Sequence, residues 1–134
     1  MNRTHLEGAA EALAAQQGYA FHTGPEDGMA HTVRSYPAAW LAPLELHAVE
    51  GCGHGRATDD MTLHLLSSGA RLSPTERRAA LARMEEQLLE IFAALSLDER
   101  VLAVEGLSVR PRAFALTPHG EISQTAAARI VTFF

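Results

Sequence analysis

Apolar positions return along this chain in two rhythms, one helical and one extended, and the rhythms change segment by segment. Leu6, Ala9, Ala10 and Leu13 fall on one face of a helix. Thr4 and Glu7 have the spacing of a capping box at its start, and Gly18 is a fitting stop just past Gln17. The apolar face is slim and mostly alanine, which predicts a helix lying close on a flat partner, most simply a sheet. Residues 19–22 predict a short strand, and residues 23–31, rich in turn formers, predict a loop. Pro37 and Pro43 punctuate the next stretch, leaving 38–41 and 44–49 as extended segments. Leu44, Leu46 and Ala48 alternate with Glu45, His47 and Val49 as in a half-buried strand, and the prolines place it at an edge or bend.

Gly51, Gly53 and Gly55 make the densest glycine run, read as a flexible connection between two strands. Residues 58–66 predict the second of these, with Met61, Leu63 and Leu65 inward and Asp60, Thr62 and His64 outward. Ser73-Pro74-Thr75-Glu76 then sets a capping serine, a first-turn proline and a box-closing glutamate in order. Leu81, Met84, Leu88, Ile91, Phe92 and Leu95 form the stripe of the next helix, ending near Leu95 or Ser96. Its wet side is Arg77, Arg78, Arg83, Glu85, Glu86 and Glu90. Three strands are expected after it, over 101–109 with Gly106 as a bulge, over 112–117, and over 124–134. Thr117-Pro118-His119-Gly120 marks a turn between the last two. A chain ending Val-Thr-Phe-Phe predicts an end packed into a sheet. The order predicts one α+β domain over residues 1–134, a mainly antiparallel sheet with one short N-terminal helix and one long central helix packed on it.

At 134 residues the chain suits a single domain, and 47% hydrophobic with 20% charged residues excludes a disordered or low-complexity chain. Pro, Gly and His break the longest uncharged stretches, so no membrane span is expected. No apolar run follows a basic start in the first seven residues, so no secretory leader is expected. The single cysteine, Cys52, has no intramolecular partner, which fits a reducing compartment. The net charge is −5, from 11 basic and 16 acidic residues, and every basic residue is arginine. That balance argues against a protein that grips duplex DNA by its phosphates, although a local arginine patch stays open. With seven histidines the chain becomes much less negative near pH 6.

Candidate chemistry gathers around the glycine run. His47, Cys52, His54 and His64 have ligand types that suit zinc, but no paired short spacing, so no metal and no cofactor is expected. Cys52 as a nucleophile would have His54 nearby and glycine amides for an oxyanion, but no strand-to-helix elbow to hold it. The glycine run opens no helix, so phosphate binding there is dismissed. Asp59-Asp60, Glu85-Glu86 and Asp98-Glu99 read as solvated surface. Arg110-Pro111-Arg112 is a compact positive spot, suited to an acidic partner or a nucleic-acid phosphate if it is more than plain surface. Trp40 is either core or an interface anchor.

The arrangement of segments resembles the tail-terminator (tail-completion) proteins of long-tailed bacteriophages and their prophage relatives. The resemblance rests on a short first helix, the Tyr36-Pro37-Ala38-Ala39-Trp40-Leu41 stretch, a polar loop before residues 60–66, one long helix over 74–95, and the Asp98-Glu99-Arg100-Val101 and 126–134 ending. The glycine run belongs to no pattern of that family. The resemblance implies a non-enzymatic virion protein, assembled in the host cytoplasm. It would form a ring, usually of six copies, on the head-proximal end of the tail tube, meeting the tube protein on one side and the head connector on the other. DNA would only pass through. The self-contact and partner surfaces are then expected at Trp40, Cys52, His54, Arg56, Arg110 and Arg112. A small metal-dependent or thiol enzyme built on the glycine loop is the alternative from another class, and another head–tail joining or tube protein is a third.

Overall fold

A computed structural model describes residues 2–51, 53–112 and 115–134. Helix α1 covers Asn2–Gln16, strand β1 Ala20–Thr23, helix α2 Met29–Thr32, β2 Ala38–Leu41, β3 Glu45–Glu50, β4 Arg56–Ser67, helix α3 Pro74–Ser96, β5 Val101–Pro111 and β6 Ile122–Phe133. The six strands form one sheet in the order β1-β2-β4-β6-β5, with β3 also on β4. All pairings are antiparallel except β1 with β2. The expected α+β class, mainly antiparallel sheet, short first helix and long central helix are therefore what the chain adopts.

Helices α1 and α3 cover one face of the sheet. Leu6, Ala10 and Ala14 of α1 and Met84, Leu88, Ile91, Phe92 and Leu95 of α3 are buried against Leu41, Met61, Leu63, Leu65, Ala126, Ala128 and Ile130. The small side chains of α1 let it lie low, as its alanine-rich face predicts. The Ser73 hydroxyl accepts from the Glu76 amide while Glu76 accepts from the Ser73 amide, so the capping box of α3 is fully made. Ala80 and Leu95 are buried, and Leu81 is only partly so.

A smaller core sits on the opposite face, where Met29, Val33, Ala38, Trp40 and Leu66 pack together under the connection from β1 to β2. The turn-rich composition predicts a plain loop for that connection. It instead forms a 3-10 turn over Glu26–Gly28 and then α2, which bury Met29 and Val33, because the outer face of β2 and the end of β4 also need cover. Among the described residues no helix covers the remainder of this face, toward the start of β4 and the bulge of β5.

Four further expectations change. Thr4 lies inside α1, which already runs from Asn2, so it caps nothing. Residues 115–117 form no strand; Glu121 holds them as a loop by accepting from the amides of Leu116 and Thr117 and from the Thr117 hydroxyl at 2.6–2.8 Å. Every residue of β3 is exposed, so its alternation marks a strand uncovered on both faces. Finally, β6 is a central strand, yet Phe133 and Phe134 at its end remain 47% and 50% exposed. Gly106, with φ of 63°, does lie at a register shift between Glu105 and Ser108, as a bulge requires.

Candidate functional site

The helix-free face of the sheet holds the chemistry of this chain. Its rows come from the register: Arg110 of β5 stands beside Thr125 of β6, Thr125 beside His64 of β4, and His64 beside Trp40 of β2. The His64 ring is fully buried, with Nε2 2.8 Å from Glu26 Oε1 and Nδ1 2.7 Å from Thr125 Oγ1. Burial pushes the His64 pKa below its ordinary value, and the hydrogen bond and charge of Glu26 only partly oppose that. The neutral ring then donates from Nε2 to Glu26 and accepts at Nδ1 from the Thr125 hydroxyl, which satisfies both nitrogens.

Carboxylate, imidazole and hydroxyl in line have the order of a hydrolytic relay. Nothing else about them fits one. Thr125 is a secondary alcohol on the pleat of a central strand, with its own amide and those of its neighbours committed to the ladder. Among the described residues no helix begins there to offer free amides for an oxyanion. The trio ties the β1–β2 connection to the sheet, with Glu26 as the tether.

Around it lie two open hollows, one toward β5 and one toward β3, with a third of about 450 Å³ between them that is lined by Asp60, Thr62, Ser108, Ala127 and Arg129. One, of about 550 Å³, is lined by Ser108, Arg110, Arg112, Leu116, Thr125 and Ala127. Its far wall is the loop that Glu121 clamps. Arg110 and Arg112 are both exposed and enter no ion pair among the described residues. The other, of about 280 Å³, is lined by Glu26, Ala42, Pro43, Glu45, Asp60 and Thr62. Asp60 is shared between Arg129 at 3.8 Å and His47 at 3.5 Å, while Glu45 has no ion pair among the described residues. One hollow is thus positive and the other negative.

The residues that the sequence singles out have separate fates. Trp40 is 2% exposed, its indole N–H donating to the Gly24 carbonyl at 2.9 Å and its ring stacked on His22. It is a core residue, and the surface-anchor reading falls, because the β1–β2 connection covers it. Cys52 lies outside the described residues. His54 is exposed in the glycine turn between β3 and β4, and Arg56 is exposed at the start of β4 opposite Glu50. His47 and His64 serve different carboxylates, Asp60 and Glu26. Among the described residues no three His, Cys, Asp or Glu side chains converge on a point that suits a metal ion.

Asp59 overturns its surface reading: it is 2% exposed and 3.4 Å from the Arg3 Nε, since its strand position faces the start of α1. Sequence reasoning misses Glu26 and Glu121 altogether. Both act across a turn on partners that no spacing rule connects to them; the one local signal is an acid within a Gly-Pro turn. No family model matches this chain, and no curated protein does either.

Proposed function

We propose that this protein is a structural subunit of a phage or prophage virion that closes into a ring on the tail tube, in the manner of the tail terminators its segment order resembles. The observation that carries the reading is the contrast between a finished core and unfinished margins. The helices bury the centre of one sheet face, from Leu41 through Met61, Leu63 and Leu65 to Ala126 and Ile130, yet Leu46, Val49, Leu102 and Phe133 stand about half exposed at one end of the sheet. β5 and β3 are bare sheet edges, the long β5 with its backbone groups open along 11 residues. Bare edges and half-exposed large apolar side chains are a liability in a lone monomer and a resource in a closed assembly, where each edge meets a partner. The acidic balance, with a net charge of −5, also suits a ring through which DNA slides without a phosphate grip. The role requires no catalysis, metal or cofactor.

Light scattering on the purified protein, alone and mixed with tail tubes, tests the reading, together with a phage from which the gene is deleted. Rings in solution or at tube ends, and tubes of uncontrolled length without the gene, are expected. A protein that stays monomeric beside tail tubes, from a phage that makes normal virions without it, would overturn the reading.

A further inference from the structure

We infer that copies of this chain join head to tail along their sheet edges, Arg110 and Arg112 of one copy seating on the acidic hollow of Glu26, Glu45 and Asp60 of the next. The inference rests on the ring reading above and supplies its joint.

Three independent features of the sheet lead to it. The first is charge. From Arg100 to Arg112 the β5 margin carries three arginines against one acid, Glu105. The opposite margin, made by β1, β3 and the turn after β1, carries Glu26, Asp27, Glu45 and Glu50 and no arginine. Neither Arg110, Arg112 nor Glu45 has an ion-pair partner among the described residues of its own chain.

The second is position. Both hollows open on the helix-free face. Arg110 shares its row with His64, the residue that Glu26 grips. The acidic hollow runs from there along Thr62 to Asp60, and Glu45 stands opposite Asp60. Arg110 is level with His64, and Glu45 is level with Asp60 and, across β6, with Glu105, so level pairing would set Glu105 against Glu45. A shift of about four residues along the strands, of the kind that closes a barrel, brings Arg110 and Arg112 to the acidic hollow instead.

The third is strand direction. Across the sheet β3, β4, β6 and β5 alternate up and down without exception. With strands running along the ring axis, the β5 of one copy meets the β3 of the next antiparallel. That continues the ladder and pairs the open sides of β5 and β3, while β1 stays at the margin of its own copy. Leu46 and Val49 on β3, 53% and 48% exposed, supply the apolar part of the joint. The two surfaces differ, so the contact is heterologous and propagates into a ring instead of stopping at a dimer.

The test compares the wild type with Arg110→Glu/Arg112→Glu and with Glu45→Arg, all at exposed positions, by light scattering and by electron microscopy of tube ends, with circular dichroism as the check of folding. Both variants are expected to lose the ring and remain folded monomers. A second measurement does not rely on reversing charge. In a Cys52→Ser background, Arg112→Cys/Glu45→Cys treated with a flexible bis-maleimide should give a ladder of multimers on a denaturing gel, while either cysteine alone should give dimers at most. A wild-type ring with both charge variants assembling normally and no ladder overturns this joint and leaves the ring reading standing. A wild-type particle that stops at a two-fold dimer also overturns it. A wild type that is monomeric even beside tail tubes overturns the ring reading, and the joint with it.

Discussion

His64 is the residue whose surroundings say most about how this fold is held. It is fully buried, and burial lowers its pKa below the ordinary 6.5 despite Glu26. In the unfolded chain the ring takes a proton as the pH falls through that ordinary value, whereas the folded protein refuses it until a lower pH. Between those two values the unfolded state binds more protons, so stability falls on acidification and is fully present above 6.5. Urea unfolding against pH should show a decline below 6.5 that is absent or much reduced in His64→Gln. Equal slopes in the two proteins would mean that the ring titrates as it does in water. Glu26→Gln removes the carboxylate that favours the imidazolium, so the decline should extend to lower pH in that variant. Trp40 and Asp59 teach the same lesson: a residue's role here depends on what crosses over it.

At the scale of elements, α3 is the best case of periodicity read correctly. Leu88 faces the sheet and is fully buried, while its neighbour Leu89 is 46% exposed. Leu88→Ala should cost about 2–5 kcal/mol in chemical denaturation, from lost burial and the cavity left behind. Leu89→Ala should cost less than about 0.5 kcal/mol. Similar losses at both positions would mean that the helix is not seated on this face. The β3–β4 hairpin is the opposite case. Its glycine run reads as a free connection, yet Gly55 is buried and its carbonyl accepts from the Phe134 amide at 3.0 Å. A Cβ on Gly55 would run into the backbone carbonyls of Glu50 and Gly51. Gly55→Ala should therefore open the turn and release the C-terminus, read as faster amide exchange in β3 and at Phe134, with exchange in α3 unchanged. Unchanged exchange at Phe134 would mean that the turn absorbs the methyl group without parting from the end of β6.

At the scale of the molecule, one helix face is finished and the other face and its margins are not. On the ring reading, the joint is part electrostatic and part apolar. Raising salt from about 0.05 M to about 0.5 M shortens the screening length several-fold, so rings should weaken and sediment more slowly. Rings indifferent to salt would place the weight on Leu46 and Val49 instead of the arginines.

Local patterns in this chain are sufficient for the two main helices, the strands β1, β2, β4, β5 and β6, the capping box at Ser73 and the bulge at Gly106. Each depends on residues within a few positions of one another, where spacing and backbone preference act directly. The same patterns predict a strand over 112–117, of which residues 116 and 117 are held as a loop by a buried carboxylate from Glu121 that accepts from their amides. They predict a half-buried β3, because alternation reports that two faces differ and not whether anything lies on either. Only the tertiary structure decided that the β1–β2 connection would roof Trp40 and His64, that Asp59 would turn inward to Arg3, and that Arg110 would share a row with the His64 that Glu26 grips. Those facts depend on which strands become neighbours and in what register, and pairing between residues tens of positions apart leaves no periodic trace in a single sequence.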